Sequence, residues 1–524
     1  MARALESPRG SRVTTKGRHR CAKAASAVLA GSLVACRAPE AVVPSMLVLG
    51  QPTSALSLDP HLHDEESTYS TLEHFYDRLV AFGPDMQLVS ELALTWQNPT
   101  DTLWRIRLRS GVVFHDGRPF GAEDVAATIR RARALPGSRV AYYLESVADV
   151  RAPDPETVEI VTTLPSPVLL NKLAFIGIVP RDTPLIPVTR PVGTGPYRFL
   201  SGSPGGTIEA ERFDRYWGPA PAWKRVRFRS FPDARSRAEA VTSGAADAIS
   251  RFPYERAQWA ARQPSMRLVS VGGLGVTLLG FDIRPPSPFA DLRVRQAFAA
   301  AIDRASLLPG TERRYSVPID QYVPAGVFGH LPGTSPARSD PAKAARLLDE
   351  ARFRRQAEAH LVFADTHADV GRALVRQLET AGIRVAPEPI PQAELYARFA
   401  TDPPRLFLMS WAAGTGDGSD VLEALFHTPG NGLGTANRFG YSRPEVDALV
   451  ARAARTLEAT TRRDALWKAF ELVGQDLPAI PLLLRSNLYA VASNLEWTQR
   501  RNRRLRAMDL APRPGGRAHA PPEP

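Results

Sequence analysis

Cysteine is scarce in this chain of 524 residues: there are only Cys21 and Cys36, and both come before the main body begins. A body without thiols excludes a disulfide scaffold and a cysteine-ligated zinc site. It also excludes a cysteine nucleophile, and the sequence contains neither a Gly-x-Ser-x-Gly turn nor a His-Glu-x-x-His helix. We therefore expect neither an enzyme nor a resident cofactor.

The body also lacks a sustained charge of one sign. The net charge of +12 is concentrated at the two ends, since residues 1–35 contribute +6 and residues 500–524 contribute +5. A body near +1 has no extended basic surface of the kind that nucleic acids require, so no nucleic-acid partner is expected. The C-terminal arginines are expected to form a solvated tail, with a membrane-surface role as the alternative; they are Arg500, Arg501, Arg503, Arg504, Arg506, Arg513 and Arg517.

Long hydrophobic runs are missing as well, and the one apolar stretch near the N-terminus is too short to span a membrane. It covers residues 24–35, follows the basic segment 16–23, and ends in Leu33-Val34-Ala35-Cys36. This order is typical of a bacterial lipoprotein signal. It predicts a signal peptide over 1–35, lipidation of Cys36 and a linker over 36–45, giving a membrane-anchored lipoprotein in the periplasm or on the cell surface. The alternative is an ordinary cleaved signal with a coincidental cysteine.

The body alternates between strand-like and helix-like patterns in both halves, which indicates a mixed α/β class. Apolar or alternating runs predict strands at 46–50, 103–109, 111–117, 276–283 and 478–486. Amphipathic patterns predict helices at 71–80, 122–135, 291–304, 442–457 and 465–476. The adjacent pair His115-Asp116 belongs to an Asp-Gly turn, which favours a structural role over a catalytic one.

Seven segments occur in an order that resembles one protein family. They are LDPHLHDEES (58–67), FYDRLVAFGPDMQLVSELALTW (75–96), LRSGVVFHDGRPFGAEDV (108–125), VGTGPYRF (192–199), FDRYWG (213–218), LGFDIRPPSPFADLRVRQAFAAAIDR (279–304) and GYSRPEVDALVARA (440–453). Together they make the chain similar, over residues 46–511, to the bacterial extracellular solute-binding proteins of family 5. This group serves ABC importers for peptides and nickel.

The resemblance implies a two-lobed periplasmic-binding-protein fold of type II, in the large peptide-binding class, with a ligand cleft between the lobes. Lobe 1 is expected over 46–274, with an inserted subdomain near 65–165 and a return over 481–511. Lobe 2 is expected over 275–480, and a disordered tail over 512–524. The implied function is capture of a peptide or peptide-like solute by a monomer. The protein would deliver this solute to a membrane permease that has a cytoplasmic ATPase.

The family's peptide binders carry a Trp, two small residues and then an Asp-Tyr pair, in which the Asp holds the peptide amine. Here the matching segment begins at Trp411, and the Asp and Tyr positions are Gly414 and Thr415. The resemblance therefore implies solute contacts from Trp411 and from the backbone of Ala413 and Gly414, without the family's amine anchor. A substitute acid is expected from Asp417, Asp420 or Asp59, and Asn437 matches a family position that faces the cleft.

A metal-binding function is the main alternative within the family. One loop contains five side chains that are suited to a transition metal, although their spacing fits no tight template: His61, His63, Asp64, Glu65 and Glu66. A lipoprotein sensor or chaperone is a further alternative that the sequence does not separate from transport.

Overall fold

The computed structural model describes residues 46–63, 65–308, 312–353 and 359–514. The predicted signal peptide, the linker, Cys36 and Asp64 lie outside these ranges, as does the predicted tail beyond Pro514. No helix in the described ranges is both long and apolar enough to cross a membrane.

The secondary structure alternates between strands and helices along the described chain. The strands are β1 (Met46–Gln51), β2 (Val80–Phe82), β3 (Leu88–Ser90), β4 (Ala93–Thr100), β5 (Leu103–Leu108), β6 (Val147–Asp154), β7 (Thr157–Thr162), β8 (Tyr197–Gly202), β9 (Ile208–Arg212), β10 (Arg225–Ser230), β11 (Ala248–Ile249), β12 (Met266–Val271), β13 (Gly275–Phe281), β14 (Ser316–Pro318), β15 (Ala359–Ala364), β16 (Val385–Ile390), β17 (Leu406–Ala412), β18 (Ala479–Arg485), β19 (Asn487–Ala492), β20 (Leu495–Trp497) and β21 (Leu510–Pro512). The helices are α1 (Glu66–Leu72), α2 (Ala122–Ala134), α3 (Leu169–Leu173), α4 (Ala234–Glu239), α5 (Ala257–Ala260), α6 (Leu292–Ala301), α7 (Pro341–Glu350), α8 (Ala368–Thr380), α9 (Gln392–Thr401), α10 (Ser419–Val421), α11 (Pro444–Arg455) and α12 (Ala459–Asp476).

The first sheet has the strand order β12-β19-β11-β1-β10-β9-β8. Its central strand β1 pairs in parallel with β10 and β11, and its side chains Leu47 and Leu49 are fully buried. Burial on both sides explains why β1 has an apolar sequence with only a weak alternation. The late strand β19 lies between β11 and β12, so the end of the chain completes the sheet that β1 began.

The second sheet has the strand order β14-β18-β13-β17-β15-β16. Strand β13 is its centre, because it pairs antiparallel with both β17 and β18. In the core beneath it, Phe298 of α6 packs edge-on against Phe281 of β13 and against Phe289. This packing fixes α6 (Leu292–Ala301) against the sheet.

A third, antiparallel sheet is formed by β4-β5-β7-β6, with α2 packed on it. Strand β5 shows the alternation of a sheet with one wet face, since Trp104, Ile106 and Leu108 are buried while the arginines between them are exposed. Helix α2 has acids in its first turn and arginines in its last, which complements the helix dipole. These sheets and helices confirm the predicted α/β class.

The chain passes between the first and second sheets at two places within the described residues, from β12 to β13 and from β18 to β19. The two crossings lie against each other, since a Cβ atom on Gly273 would approach the carbonyl oxygen of Arg485 to 2.5 Å. The predicted boundary at residue 481 falls inside β18, and the second crossing between the sheets lies at Ser486.

Two predicted elements near the N-terminal end of the body differ clearly from the structure. The helix predicted at 71–80 begins earlier and ends at Leu72, because both carboxylate oxygens of Glu65 accept backbone N–H groups at the first turn of α1. The strand predicted at 111–117 is reduced to a single bridge between Val113 and Pro119. A tight turn at Gly117, which has φ of 88°, folds the chain back at once.

The expectation of a solvated arginine tail is wrong for residues 500–506. Arg500 forms an ion pair with Asp509, Arg504 forms one with Glu73, and all four side chains are less than a tenth exposed. The partner acids are Glu73, far away in the sequence, and Asp509, which follows the arginines. The sequence alone therefore does not show that these arginines are paired. The Arg504–Glu73 pair attaches the C-terminal segment to the end of α1, and β21 then pairs with β20.

One buried ion pair joins the loop after β1 to α2. Arg131 donates from Nη2 to Oδ2 of Asp59 at 2.6 Å and from Nη1 to the Nδ1 atom of His61 at 2.7 Å. Burial alone would raise the pKa of Asp59, but the hydrogen bonds from Arg131 and the charge nearby hold it below its ordinary value. The side chains of Asp59 and Arg131 are 0% and 4% exposed, so removing one partner leaves a buried charge uncompensated.

We predict that Arg131→Met lowers the free energy of unfolding by about 3–5 kcal/mol, because Asp59 then remains buried without its partner. Arg107→Met is the matched control, since Arg107 and Glu156 form an exposed pair whose loss costs about 1 kcal/mol or less. Equilibrium unfolding in urea at pH 7 measures both. Equal losses in the two variants would contradict the assignment.

Candidate functional site

A cleft of about 690 Å³ lies where the two sheets approach each other. The side of the first sheet contributes Glu66, Arg237, Arg251, Phe252, Pro253, Tyr254, Glu255, Asn487, Leu488, Tyr489 and Arg503. The side of the second sheet contributes Gly275, Thr277, Asp365, Thr366, His367, Asp369, Gln392, Tyr396, Ser410, Trp411, Ala412 and Arg485. Both crossings therefore lie at the cleft, through Gly275 on one and Arg485 and Asn487 on the other.

Trp411 lies near the end of β17 and is the predicted solute residue that lines the cleft. The strand holds it firmly, because Leu406, Phe407 and Leu408 are fully buried in the core. Its indole Nε1 is buried and has no hydrogen-bond partner among the described residues. Trp411 also borders a small apolar side pocket of about 100 Å³, which includes Leu395, Phe399 and Met409.

Two arginines converge on Glu66 at the opposite wall. Arg251 donates from Nη2 to Oε2 of Glu66 at 2.7 Å, and Nη1 of Arg503 lies 3.7 Å from the same oxygen. Both arginines have left-handed backbones, with φ of 49° and 65°, which is uncommon for residues other than glycine, asparagine and aspartate. Tyr489 on β19 lies in the same wall, and its hydroxyl is buried without a partner within the described part of the chain.

The floor of the cleft is basic where β18 ends. The guanidinium of Arg485 lies over the ring of Tyr254, 4.4 Å from its centroid. His367 is nearby, and its Nε2 lies 2.8 Å from Oγ of Ser410. Burial lowers the pKa of His367 to about 4, and the charge of Arg485 adds to the effect, so the imidazole is neutral near pH 7.

The segment that carries the missing amine anchor forms a tight turn after β17. Gly414 donates its N–H to the carbonyl oxygen of Ala412 at 2.9 Å, and Ala413 is buried. A Cβ atom at Gly414 would meet no atom of the described residues within 4 Å. Asn171 fixes the following residue by donating from Nδ2 to the carbonyl oxygen of Thr415 at 2.7 Å.

The structure gives the other four candidates internal partners. Asp417 accepts two hydrogen bonds from Arg462, at 2.6 and 2.7 Å, and Asp59 is paired with Arg131. Asp420 accepts a hydrogen bond from Oγ1 of Thr415 at 3.3 Å. Asn437 donates to the carbonyl oxygens of His427 and Tyr441 within its own loop. In this conformation none of the four borders the cleft, and their contact with solute stays a prediction.

The residues of the candidate metal loop make separate structural contacts. His61 is fully buried, with Nε2 2.9 Å from the carbonyl oxygen of Gly177, while Glu65 caps α1 and Glu66 pairs with Arg251. Burial lowers the pKa of His61 to about 4. In the described ranges, no group of three or more His, Cys, Asp or Glu side chains could hold a metal ion.

Sequence reasoning missed most of the basic wall of the cleft. Arg251 and Tyr489 belong to no segment that was singled out, and Arg503 was assigned to a solvated tail. The sequence did give a signal for Arg485, because this residue is the first charge after the apolar run 479–484 and so indicates where the buried part of the strand ends.

The comparisons with known proteins agree with this geometry. The family described as "Bacterial extracellular solute-binding proteins, family 5 Middle" matches residues 87–432. The glutathione-binding protein GsiB of Pectobacterium atrosepticum is 27% identical over 442 residues, covering 81% of this chain and 85% of that protein.

Solved structures show the same fold. The substrate-binding protein CtaP of Listeria monocytogenes has a TM-score of 0.80 at 18% identity, covering 90% of this chain and 99% of that one. The periplasmic binding protein DppA of Helicobacter pylori, in complex with the peptide STSA, has a TM-score of 0.73 at 21% identity, covering 90% and 98%.

The fold is the two-lobed fold of the solved periplasmic binding proteins. The chain belongs to the bacterial extracellular solute-binding proteins of family 5, which serve ABC importers. Members of this family bind substrates for transporters and are not enzymes, which confirms the prediction drawn from the missing catalytic motifs.

We predict that Gly414→Asp increases the affinity for dipeptides with a free amine by about tenfold or more, because it adds an acid at the open position that the family uses for the amine. Isothermal titration calorimetry measures the effect, and Gly414→Asn is the neutral control of equal size. N-acetylated dipeptides should show no gain. If free-amine peptides bind tightly to the original protein and Gly414→Asp changes nothing, the missing acid is of no consequence.

Proposed function

We propose that this protein captures a peptide or peptide-like small solute in its cleft and delivers the solute to an ABC permease with a cytoplasmic ATPase. The observation that carries the proposal is a cleft of about 690 Å³ whose walls come from two sheets joined at two crossings. Ligand sites of roughly 300–1,000 Å³ hold small molecules. The glutathione-binding name of the Pectobacterium relative and the peptide in the Helicobacter structure favour a peptide-like solute.

The cleft provides the physical basis for signalling occupancy. A solute that touches Trp411 on one side and Tyr489 on the other binds the closed arrangement more tightly than the open one, and so shifts the population toward closure. A permease that contacts both lobes then distinguishes loaded protein from empty protein. We assign lobe 1 to 46–274 and to the chain from β19 to residue 511, with the inserted subdomain near 65–165. Lobe 2 is the chain between these two parts. We also propose that the protein acts as a monomer, because a single chain supplies both walls of the cleft.

The test is capture without chemical change. We expect the protein to bind at least one member of a panel of dipeptides, tripeptides and glutathione, and mass spectrometry to recover the bound compound intact. Trp411→Ala should weaken binding by about tenfold or more, since the indole lines the cleft. Trp259→Ala is the control, because Trp259 is also half-buried but lies outside the cleft lining. Conversion of the bound compound would contradict the proposal.

We also propose that the mature protein is held at the membrane by lipid on Cys36. The support is the signal-like order of residues 16–36, since several acyl chains on one residue give stable anchoring. We expect Cys36→Ser to move the protein from the membrane fraction to the soluble extracytoplasmic fraction, while Cys21→Ser leaves it at the membrane. Membrane association that persists in Cys36→Ser would contradict lipidation at this residue.

A further inference from the structure

Two polar groups in opposite walls of the cleft lack partners within the described part of the chain. They are the hydroxyl of Tyr489, whose side chain is 1% exposed, and the indole Nε1 of Trp411. A buried donor without an acceptor costs about 1–3 kcal/mol, so unpartnered groups at a ligand cleft indicate contacts that a ligand completes. The indole can only donate, which calls for an acceptor on the ligand.

The charges around Tyr489 point to an anion. Arg251 and Arg503 carry two positive charges against the single negative charge of Glu66, so this cluster is left with a net charge of about +1. The arginines are pre-positioned, because each is held by a left-handed backbone and by the same carboxylate. A guanidinium is suited to a carboxylate, which it can bind through two parallel N–H groups.

The lining as a whole is balanced, since the arginines Arg237, Arg251, Arg485 and Arg503 face the acids Glu66, Glu255, Asp365 and Asp369. The positive charge is therefore local to the wall that contains Tyr489, where Glu66 is the lining acid that acts on Arg251, while Glu255 acts on Arg237. Glu66 is paired with Arg251, and Asp369 is paired with Arg372 on its own helix at 3.0 Å. Asp365 accepts the backbone N–H of Thr366 at 2.8 Å. The floor adds the further positive charge of Arg485.

We propose that the solute carries a carboxylate, and that Arg251, Arg503 and the hydroxyl of Tyr489 hold this carboxylate in the first-sheet wall of the cleft. The indole of Trp411 donates to a second acceptor of the same solute from the opposite wall. The proposal rests on the solute-binding function proposed above and assigns the chemical class of the ligand. It makes the cleft selective for solutes that carry a carboxylate over amides of the same shape.

The experiment uses matched probes on the mature protein. Glutathione and a panel of dipeptides and tripeptides are each titrated as the free acid and as the form with its carboxylates converted to amides. We expect at least one free acid to bind, and its amide to bind about tenfold to a hundredfold more weakly. Peptides that also have a side-chain carboxylate show which carboxylate is recognised, the one at the peptide terminus or the one in the side chain.

Tyr489→Phe provides the sharpest variant, because it removes only the unpartnered hydroxyl. We expect the melting temperature of the unliganded protein to stay the same or rise, while the affinity for the free acid falls by about tenfold. Tyr76→Phe is the control, since the buried hydroxyl of Tyr76 donates to the carbonyl oxygen of Leu58. That variant should lower the melting temperature and leave the affinity unchanged.

The pH dependence separates the arginines from the neighbouring imidazole. His367 faces Arg485, Asp365 and Ser410, and its pKa near 4 keeps it neutral above pH 5. Anchoring by arginine therefore predicts an affinity for the free acid that is constant from pH 5.5 to 7.5. A protonated histidine with the ordinary pKa of about 6.5 would instead give an affinity that falls as the pH rises through that range.

The outcomes are distinct. Three results would overturn the carboxylate proposal and leave the solute-binding function standing. They are equal binding of acids and amides, binding of neutral or cationic probes only, and an affinity that falls steeply as the pH rises. A Tyr489→Phe variant that loses stability but keeps its affinity also overturns it. Failure of every acid and every amide to bind overturns the proposed function itself.

Discussion

The close contact between the two chain crossings is the constraint on which the rest of the structure depends. Gly273 on one crossing lies so near the carbonyl oxygen of Arg485 on the other that a side chain does not fit. Arg501 adds a link between them, since its guanidinium approaches the carbonyl oxygens of Gly272 and Gly273 and its own carbonyl oxygen accepts from Asn487. Two adjacent segments of this kind can flex together while both sheets remain intact.

The cleft follows from that arrangement. Gly275, Arg485 and Asn487 form part of its floor because the crossings lie at its base. Each wall is then built on a different core, and the ion pairs of the C-terminal arginines fasten the last segment to α1 instead of leaving it in solvent. Each wall contributes one side chain from a strand, since Trp411 lies on β17 and Tyr489 on β19.

Local sequence patterns were enough to predict the α/β fold class and several helices, and the order of the seven segments was enough to indicate the family. The helix predicted at 465–476 ends at Asp476 as expected but starts at Ala459, because Glu458 caps a turn whose sequence is not periodic. Trp411 could be predicted as a cleft residue because it begins the segment that matches the family's peptide binders. The ion pairs of Asp59 and Asp417 could not be predicted, because nothing near these residues in the sequence reveals Arg131 or Arg462 as their partners. The convergence of Arg251 and Arg503 on Glu66 depends on tertiary structure and on left-handed backbones that arginine rarely adopts.

The central claim is that the two walls approach each other around an unchanged solute. A direct measurement is the distance across the cleft between spin labels at Arg262→Cys and Glu394→Cys, which are exposed residues on opposite sides. The mature body has no cysteine after Cys36, so no further substitution is needed there. The account predicts that a saturating solute shortens this distance by more than about 2 Å. An unchanged distance distribution in protein shown by calorimetry to be saturated would contradict it.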